Sequence, residues 1–479
     1  MLKNLIHQRY KKLENYQKFF NPYPARSFGF NKKTFAVSRF SIQEIRKSFV
    51  NFSRSQKSVF LAGRILSWRN QGKIIFADLV DEGGKLQLVF TKDETENFNL
   101  LKNTFDIGDI LEAQGRVFKT GQGEESLLVK KARLLAKSLK PWPPTWFGLE
   151  DVEERYRRRY LDFFFHPEVK EKLIKCSKII SNLRFLLENE GFLEVETPIL
   201  QPLPGGALAK PFETYFRDLK QPMYLRIAPE LYLKRLLVGG FEKIFEIGKN
   251  FRNEGIDREH NPEFTMMELY WAYQDYQGLM KAVRRWLQTL AKKIGLKKLI
   301  FNRQTIKFFG PWRTVFYADL IKKCDKRPLA EISAEEIDEI FKKKIRPKII
   351  QPTFVIHLPK SFSPLSKSCE SNPDLTERFQ LIVGGMELVN GFSELNDPKE
   401  QRRRLEEQEK KYRAGHLEAS RLDENFLEAL EYGMPPAAGL GLGIDRLVAL
   451  FTDSHSIREI IAFPTLREKI LRKNLKKRP

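Results

Sequence analysis

The chain has 479 residues, 42% of them apolar, which is enough for two or three domains with buried cores. Lysine and arginine number 84 against 61 acidic residues, and the net charge of +23 favours phosphate-rich partners, although a solvated basic surface has the same composition. The three cysteines are far apart, which argues against a disulfide framework or a CxxC metal site. With no apolar run near the ~20 residues that cross a bilayer and no secretory signal, we expect a cytoplasmic protein without a membrane contact.

The first part of the chain predicts a small β-domain. Residues 1–55 are basic and tyrosine-rich at the start, and we expect an amphipathic helix there that packs on or precedes this domain. Residues 56–140 contain five runs with alternating apolar residues, separated by glycine-bearing turns: VFLAGRIL, KIIFADLVD, KLQLVF, DILEAQGRVFKT and ESLLVKKARLLA. Five such strands predict an all-β barrel of the OB-fold type. The proline-rich segment that follows predicts a linker over residues 141–155.

Residues 156–469 alternate helical and strand patterns and predict an α+β domain built on a largely antiparallel sheet. The segment EVKEKLIKCSKIISNLRFLLENEG predicts a long helix that stops at Gly191, and further helices are expected near Pro229 and after Gly443. The runs FLEVETPIL, MYLRI, KIFEIG, EFTMMELYWAY and FQLIVGGMELVNGFSEL predict strands. The basic tail over residues 470–479 is either a nucleic-acid arm or a solvated, partly disordered end.

Three segments of the second domain carry the functional signal. They are GFLEVETPIL, then FRNEG followed by HNPEFTMMELY, and finally GLGLGIDRL. In this order and at these separations they resemble motifs 1, 2 and 3 of class II aminoacyl-tRNA synthetases. The segments PGGALAKPFET, VNGFSELNDP and PPAAGLGLGIDRLVALFTDSHSIREIIAFP are similar to the lysine-specific branch rather than to its aspartate or asparagine relatives. The resemblance extends from Val59 to Arg467.

The resemblance implies an enzyme that joins L-lysine to tRNA(Lys) at the expense of ATP. Lysine and ATP give lysyl-adenylate and pyrophosphate, and the terminal ribose hydroxyl of the tRNA then attacks the adenylate. It also implies an antiparallel-sheet catalytic domain preceded by an OB-fold anticodon-binding domain. Family members use the motif 1 helix and strand, here near residues 168–198, as a symmetric interface, so a homodimer is expected.

The first step brings two anions together, because the lysine carboxylate attacks the α-phosphorus of ATP. The carboxylate is already ionised, so the site must position both reactants and neutralise charge rather than supply a general base. The charged fork of Arg252 suits this task, although an ion pair with Glu254 is a simpler interpretation. By resemblance, Glu254 accepts a hydrogen bond from the adenine amino group, and Phe264 and Arg446 cover the two faces of the base. His260 then approaches the β- or γ-phosphate; otherwise Phe264 is a core aromatic and His260 a surface histidine.

Lysine recognition requires buried carboxylates, because an unpaired ammonium group is costly away from water. Glu230, Glu268 and Glu394 match the acids of the family's lysine pocket. The other matching positions are Gly206, Arg252, Tyr270, Asn390 and Phe392. Glu268 and Tyr270 are two residues apart and share one strand face, a pattern that is also typical of a half-exposed strand.

The family holds Mg²⁺ on the ATP phosphates with two carboxylates. Glu387 matches one of them. The other position is Gln380, whose amide oxygen can ligate a hard cation but carries no negative charge. We therefore expect magnesium use with a weakened or rearranged protein site.

By the same resemblance, Arg69, Phe76 and Gln87 of the barrel read the tRNA anticodon. Phe76 would stack on an unpaired base and Gln87 would hydrogen-bond to a base edge. A place in the barrel core is the alternative for Phe76.

Two other functions are compatible with parts of the sequence. A lysyltransferase acting on a protein substrate would share the catalytic domain, but such relatives resemble it without the barrel. A catalytically silent, nucleic-acid-binding paralogue is supported only by Gln380. The presence of Arg252, Glu254, Glu268 and Arg446 argues against it.

Overall fold

The computed structural model describes residues 2–27, 39–143, 149–327 and 331–468. The helices are α1 (Leu2–Gln17), α2 (Ile42–Lys47), α3 (Phe49–Ser55), α4 (Phe98–Thr104), α5 (Val152–Arg157), α6 (Arg159–Phe165), α7 (Pro167–Asn189), α8 (Glu230–Val238), α9 (Tyr276–Lys293), α10 (Tyr317–Cys324), α11 (Ala334–Glu339), α12 (Pro398–Arg413), α13 (Glu424–Glu431) and α14 (Ile444–Phe451). The strands are β1 (Val59–Asn70), β2 (Ile74–Asp81), β3 (Gly84–Thr91), β4 (Ile110–Lys119), β5 (Glu125–Ala136), β6 (Leu193–Glu194), β7 (Leu200–Gln201), β8 (Phe212–Phe216), β9 (Gln221–Leu225), β10 (Lys243–Phe251), β11 (Glu263–Ala272), β12 (Leu299–Phe301), β13 (Gln304–Ile306), β14 (Arg313–Phe316), β15 (Thr353–Ile356), β16 (Ser368–Cys369), β17 (Asn372–Thr376), β18 (Arg378–Val383), β19 (Met386–Ser393) and β20 (Ala437–Gly443).

The chain divides into two compact units, Met1–Gly148 and Leu149–Pro479. The first unit is built around a closed barrel with the strand order β1-β2-β3-β5-β4, as predicted. Alternate side chains of β2 are buried, so Ile75, Ala77 and Leu79 belong to the barrel core. The five predicted runs coincide with the five strands, because an apolar residue at every second position marks one buried face. None of the described helices is long and apolar enough to cross a membrane.

The predicted N-terminal helix is α1, and it packs on the barrel. Tyr16 is fully buried. Its hydroxyl accepts a hydrogen bond from the Leu134 backbone N–H of β5 at 3.0 Å. Ile42 and Ile45 of α2 join the same core, and Ser41 caps that helix in a capping box. The residues that precede the barrel strands therefore complete the barrel unit.

The linker predicted over residues 141–155 is described only in part, because 144–148 lie outside the described residues, as does the basic tail at 470–479. The structure differs from the prediction at the linker's end, where α5 has already begun. The Asp151 carboxylate caps this helix by accepting a hydrogen bond from the Glu154 backbone N–H at 2.7 Å.

The second unit contains an eight-stranded sheet with the order β14-β15-β18-β19-β20-β11-β10-β6. Only its outer pairs, β14 with β15 and β10 with β6, are parallel, so the predicted α+β domain on a largely antiparallel sheet is confirmed. Helices α7, α8 and α14 lie where the sequence predicts helices. Motif 1 is not one continuous strand, since β6 ends at Glu194 and β7 pairs with β9 in a separate sheet. Pro198 lies between β6 and β7 and has no N–H to continue a ladder.

Candidate active site

Four adjacent strands bring predicted residues from distant parts of the chain into one row. Glu268 of β11 lies opposite Gly441 of β20, which in turn lies opposite Asn390 of β19. Asn390 is paired with Gln380 of β18 on its other side. Directly opposed residues of antiparallel strands point to the same face of the sheet, so this row lines one surface.

A second row lies two residues further along the same face. It consists of Tyr270, Gly439, Phe392 and Arg378. A side chain on Gly439 would collide with the Tyr270 ring and with the Glu394 carboxylate. Glycine is therefore required at this position, because the neighbouring strands place bulky groups over it.

These rows border a cavity of about 680 Å³. Most of the predicted catalytic, lysine-binding and metal-binding residues line this cavity: Gly206, Glu230, Arg252, Glu254, His260, Phe264, Glu268, Tyr270, Gln380, Glu387, Asn390, Phe392 and Arg446. Glu394 is not among these residues, but its carboxylate lies directly over Gly439, on the face of the sheet that carries the Tyr270 side chain. Phe264 and Glu268 are about 13 Å apart along β11 at the usual strand rise, so the cavity has a Phe264 end and an acidic end.

Arg252 and Phe264 mark one end of the cavity. The guanidinium carbon of Arg252 lies 5.0 Å from the centre of the Phe264 ring. Among the described residues, the buried Arg252 Nε has no hydrogen-bond partner. Buried donors are normally satisfied, so this donor suits a bound anion.

At the same end of the cavity, the His260 ring lies between a carboxylate and a guanidinium group. Its Nδ1 lies 2.8 Å from the Asp257 carboxylate, and its Nε2 lies 3.0 Å from Arg446 Nη2. Because arginine can only donate, Nε2 accepts and Nδ1–H donates to Asp257. Arg446 also donates to the Glu387 carbonyl oxygen at 2.9 Å. The histidine is therefore part of a hydrogen-bonded network, although 44% of its side chain is exposed.

The sequence interpretation missed two cations at the Phe264 end. Arg346 lines the cavity and lies 3.5 Å from the Glu259 carboxylate, which gives that acid a partner beside the expected phosphate site. Lys342 also lines the cavity and is paired with Asp338 at 2.8 Å. Both residues belong to the basic run KKKIRPK, which could have indicated a cationic part of the site from the sequence.

The acidic end contains Glu268, whose side chain is almost fully buried. The Tyr270 hydroxyl donates a hydrogen bond to its Oε2 at 3.1 Å. Burial, reinforced by the nearby Glu230 carboxylate, raises the pKa of Glu268 to about 8 despite that hydrogen bond. A cation bound beside Glu268 would favour its ionised form.

Glu230 and Glu394 share a buried cation that the sequence interpretation did not assign. Lys234 Nζ lies 2.7 Å from Glu230 and 2.6 Å from Glu394. The sequence did indicate the pair of Glu230 with Lys234, because the two residues are four apart in a predicted helix and therefore lie on one face. Arg378 was also missed; it lines the cavity and donates to Asn390 Oδ1 at 2.8 Å.

Gln380 and Glu387 meet on the cavity wall. Gln380 Nε2 donates to Glu387 Oε2 at 2.8 Å. Gln380 Oε1 is buried and has no hydrogen-bond partner among the described residues. In the described part of the chain, no cluster of three or more His, Cys, Asp or Glu side chains could hold a metal ion.

On the barrel unit, Arg69, Phe76 and Gln87 lie on neighbouring strands. Arg69 of β1 is directly opposite Phe76 of β2. Asp78, two residues further along β2, pairs with Gln87 of β3. Phe76 is half-buried and lies between the core residues Ile75 and Ala77 in sequence, so it points away from the core. The alternative of a barrel-core position for Phe76 is therefore wrong.

Comparisons with known proteins agree with both units. Residues 151–467 match the family of class II tRNA synthetases for D, K and N, and residues 59–135 match the OB-fold nucleic acid binding domain. The fold and the site thus define a class II tRNA synthetase with an OB-fold domain.

Similar curated proteins indicate which of these three amino-acid branches the chain belongs to. A lysine–tRNA ligase of Syntrophomonas wolfei is 46% identical over 89% of this chain and 91% of the relative. One from Roseiflexus sp. is 44% identical over 97% of this chain and 99% of the relative. One from Aquifex aeolicus is 45% identical over 89% and 76%, respectively. The chain therefore belongs to the lysine–tRNA ligase family.

Proposed function

We propose that this protein activates L-lysine with ATP and transfers the lysyl group to the terminal ribose of tRNA(Lys). The observation that carries the proposal is one cavity with two chemically different ends. Arg252, His260 and Arg446 lie towards the Phe264 end, where a triphosphate and a purine need cations and an aromatic face. Glu230 and Glu268 lie at the other end, where a lysine ammonium group needs carboxylates.

In the first step the lysine carboxylate attacks the α-phosphorus and pyrophosphate leaves. Arg252 is placed to bind the carboxylate and the α-phosphate together, which offsets the repulsion between the two anions. Arg446 and His260 face the same end, and the Asp257 carboxylate fixes the ring orientation of His260. In the second step the tRNA hydroxyl attacks the acyl carbon, the bond from carbon to the phosphate oxygen breaks, and AMP leaves.

Magnesium fits the residues present. The unpartnered Gln380 Oε1 and the Glu387 carboxylate are both oxygen donors on the cavity wall, and Mg²⁺ commonly takes one or two protein oxygens together with substrate phosphates. The ion would neutralise phosphate charge as the leaving group departs. With one carboxylate in place of two, we infer a weakened or rearranged protein site for the ion.

The tRNA contact is proposed for the outer surface formed by Arg69, Phe76 and Gln87. Arg69 is exposed enough to meet a phosphate, with 56% of its side chain accessible. Phe76 offers an aromatic face for stacking and Gln87 an amide for a base edge. The relatives match across the barrel and the catalytic unit, which favours a tRNA substrate over the lysyltransferase alternative.

We further propose a homodimer in the cytoplasm, where protein synthesis consumes charged tRNA. Apolar side chains are exposed in the motif 1 helix and strand, with Ile174, Phe185 and Leu193 at 43%, 53% and 52% exposure. Such a surface favours burial against a second copy. Light scattering after size exclusion should give twice the chain mass of 56.2 kDa, whereas a monomer at micromolar concentration would contradict the dimer.

The function is tested by ATP–pyrophosphate exchange without tRNA, using each of the twenty amino acids. Exchange with lysine alone is expected. Robust exchange with aspartate or asparagine would retain the class of enzyme but overturn the proposed lysine pocket. Absence of exchange with any amino acid would favour the silent paralogue.

A further inference from the structure

A buried lysine of the protein itself lies under the acidic end of the cavity. Lys234 is on α8, one turn after Glu230, and its side chain has no exposed surface. Its ammonium group contacts the Glu230 carboxylate at 2.7 Å and the Glu394 carboxylate at 2.6 Å. The two acids come from separate elements, since Glu394 follows β19. Lys234 therefore joins parts of the chain that are 164 residues apart, from 230 to 394.

The surroundings of this ammonium group are otherwise aromatic. Its Nζ lies 5.4 Å from the centre of the Phe392 ring and 5.9 Å from that of Phe426. Burial lowers the pKa of Lys234, but the two carboxylates outweigh that effect and leave its pKa above the ordinary value. Lys234 is therefore a fixed positive charge at neutral pH.

One ammonium group cannot neutralise every acid here. Glu230, Glu268 and Glu394 are three acids, of which Lys234 contacts Glu230 and Glu394. Arg378 near Glu230 and Arg252 near Glu268 are the other cations. Glu394 Oε1 has no hydrogen-bond partner among the described residues, and it lies where a side chain on Gly439, a residue of the cavity wall, would point. The cluster therefore has unused acceptor capacity directed at the cavity.

We propose that Lys234 is a positioning residue that holds Glu230 and Glu394 in place as acceptors for the ammonium group of the substrate amino acid. The inference rests on the proposed function, because it concerns how the lysine pocket selects its substrate. Lys234 does not touch the reacting atoms. Its charge reduces the repulsion between the two acids and favours their ionised forms, so less free energy is needed to ionise them when the substrate ammonium group binds.

The test compares lysine-dependent ATP–pyrophosphate exchange by the wild type and by Lys234→Met, which keeps the side-chain length without the charge. We expect the KM for lysine to rise at least about tenfold, while the KM for ATP and the kcat at saturating lysine change less than about twofold. Arg235→Met is the matched control, because Arg235 is on the same helix as Lys234 but does not line the cavity. It forms an ion pair at 2.8 Å with Asp423, which precedes α13. An unchanged lysine KM in folded Lys234→Met would overturn the proposal.

A pH profile gives a second readout that loss of stability alone would not move. The charged and titratable groups of this cluster are Glu230 on the same helix as Lys234, Glu394 after β19, Glu268 and Tyr270 of β11, Arg378 of β18, and Arg252. Without Lys234 the remaining acids ionise at higher pH, so the acid limb of kcat/KM for lysine should move to higher pH. An acid limb at the wild-type position would contradict the proposal.

Lys234→Met could fail to fold, because it leaves two buried carboxylates without a cation. Glu394→Gln is then compared with the double variant Lys234→Met/Glu394→Gln, which removes the excess charge. A higher lysine KM in the double variant supports positioning of Glu230 by Lys234, and equal values overturn it. If the wild type itself shows no exchange with lysine, the proposed function fails; normal wild-type exchange with unaltered variants defeats only the role of Lys234.

Discussion

Glu268 is an acid whose burial opposes its own charge. Its pKa of about 8 means that the carboxyl group is largely protonated at neutral pH before a substrate binds. Lysine brings an ammonium group that interacts better with the ionised form, so binding must release a proton below pH 8. The pKa of Glu394, raised to about 8 by burial and by Glu230 against the pull of Lys234, acts in the same direction.

We therefore expect kcat/KM for lysine to increase with pH up to about 8 and then level off. Well below that value, the logarithm of kcat/KM should rise by about one per pH unit for the loss of one proton. The measurement is pyrophosphate exchange at subsaturating lysine from pH 6 to 9, with kcat/KM for ATP at saturating lysine as the reference. A lysine profile that is flat between pH 6.5 and 8 would show that neither carboxyl group titrates during binding.

Replacing Glu268 by glutamine tests its contact with the substrate directly. Glu268→Gln keeps the size of the side chain and an acceptor for Tyr270, but removes the charge. A charge-assisted hydrogen bond contributes roughly 1.5–3 kcal/mol, so the KM for lysine should rise about 10- to 150-fold. Steady-state exchange kinetics measure this, and unchanged kinetics would remove Glu268 from the proposed pocket.

By resemblance, Gln380 stands where the family has one of its two metal-binding carboxylates. Gln380→Glu adds a negative charge beside Glu387, so the free Mg²⁺ needed for half-maximal exchange should fall about three- to tenfold. Gln380→Met, which has no oxygen, should raise that requirement. Magnesium titrations of the three proteins decide the matter, and three identical curves would mean that the departure has no consequence for the metal.

At the scale of strands and helices, the sequence predicted where the elements lie along the chain better than which elements pack or pair with each other in space. Apolar alternation marked the five barrel strands, and helical periodicity marked α7, because both signals are local. The pairing of β11 with β20 joins Tyr270 to Gly439, 169 residues later, and no local pattern contains that register. Motif resemblance supplied the cavity residues, but it did not reveal Lys234, whose partner Glu394 is distant in sequence.

The outer barrel surface at β1, β2 and β3 is the element whose function is tested most simply. Phe76→Ala removes a stacking platform without opening the core, since the ring points away from it. Stacking contributes about 1–3 kcal/mol per base, so kcat/KM for tRNA in aminoacylation should fall about 5- to 150-fold. Exchange without tRNA should persist unchanged.

Phe60→Ala is the matched control for this variant. Phe60 is also partly exposed on β1, but it pairs with Gln114 of β4 rather than with β2. The Phe60→Ala protein should therefore aminoacylate tRNA almost normally. Equal losses in the two variants would indicate a general weakening of the barrel, and an active Phe76→Ala protein would exclude stacking on Phe76.

The whole molecule combines two kinds of electrostatic site. Its net charge of +23 favours a polyanion over a large surface. The cavity contains the buried acids Glu230 and Glu268, which we propose bind a cation within a single pocket. Screening by salt reduces interactions between exposed charges far more than interactions within a buried site. The two substrates should therefore respond differently to ionic strength.

We expect the KM for tRNA in aminoacylation to rise steeply with salt, by about 100-fold between roughly 50 and 200 mM, because each phosphate contact releases counterions. Over the same range the KM for lysine in exchange without tRNA should change less than about threefold, because its pocket is buried. Both assays are run at fixed free Mg²⁺, and thermal unfolding at each salt concentration verifies that the protein stays folded. Parallel increases in the two KM values would mean that lysine is bound by screened surface charge, and a salt-independent KM for tRNA would mean that the basic surface does not contribute to tRNA binding.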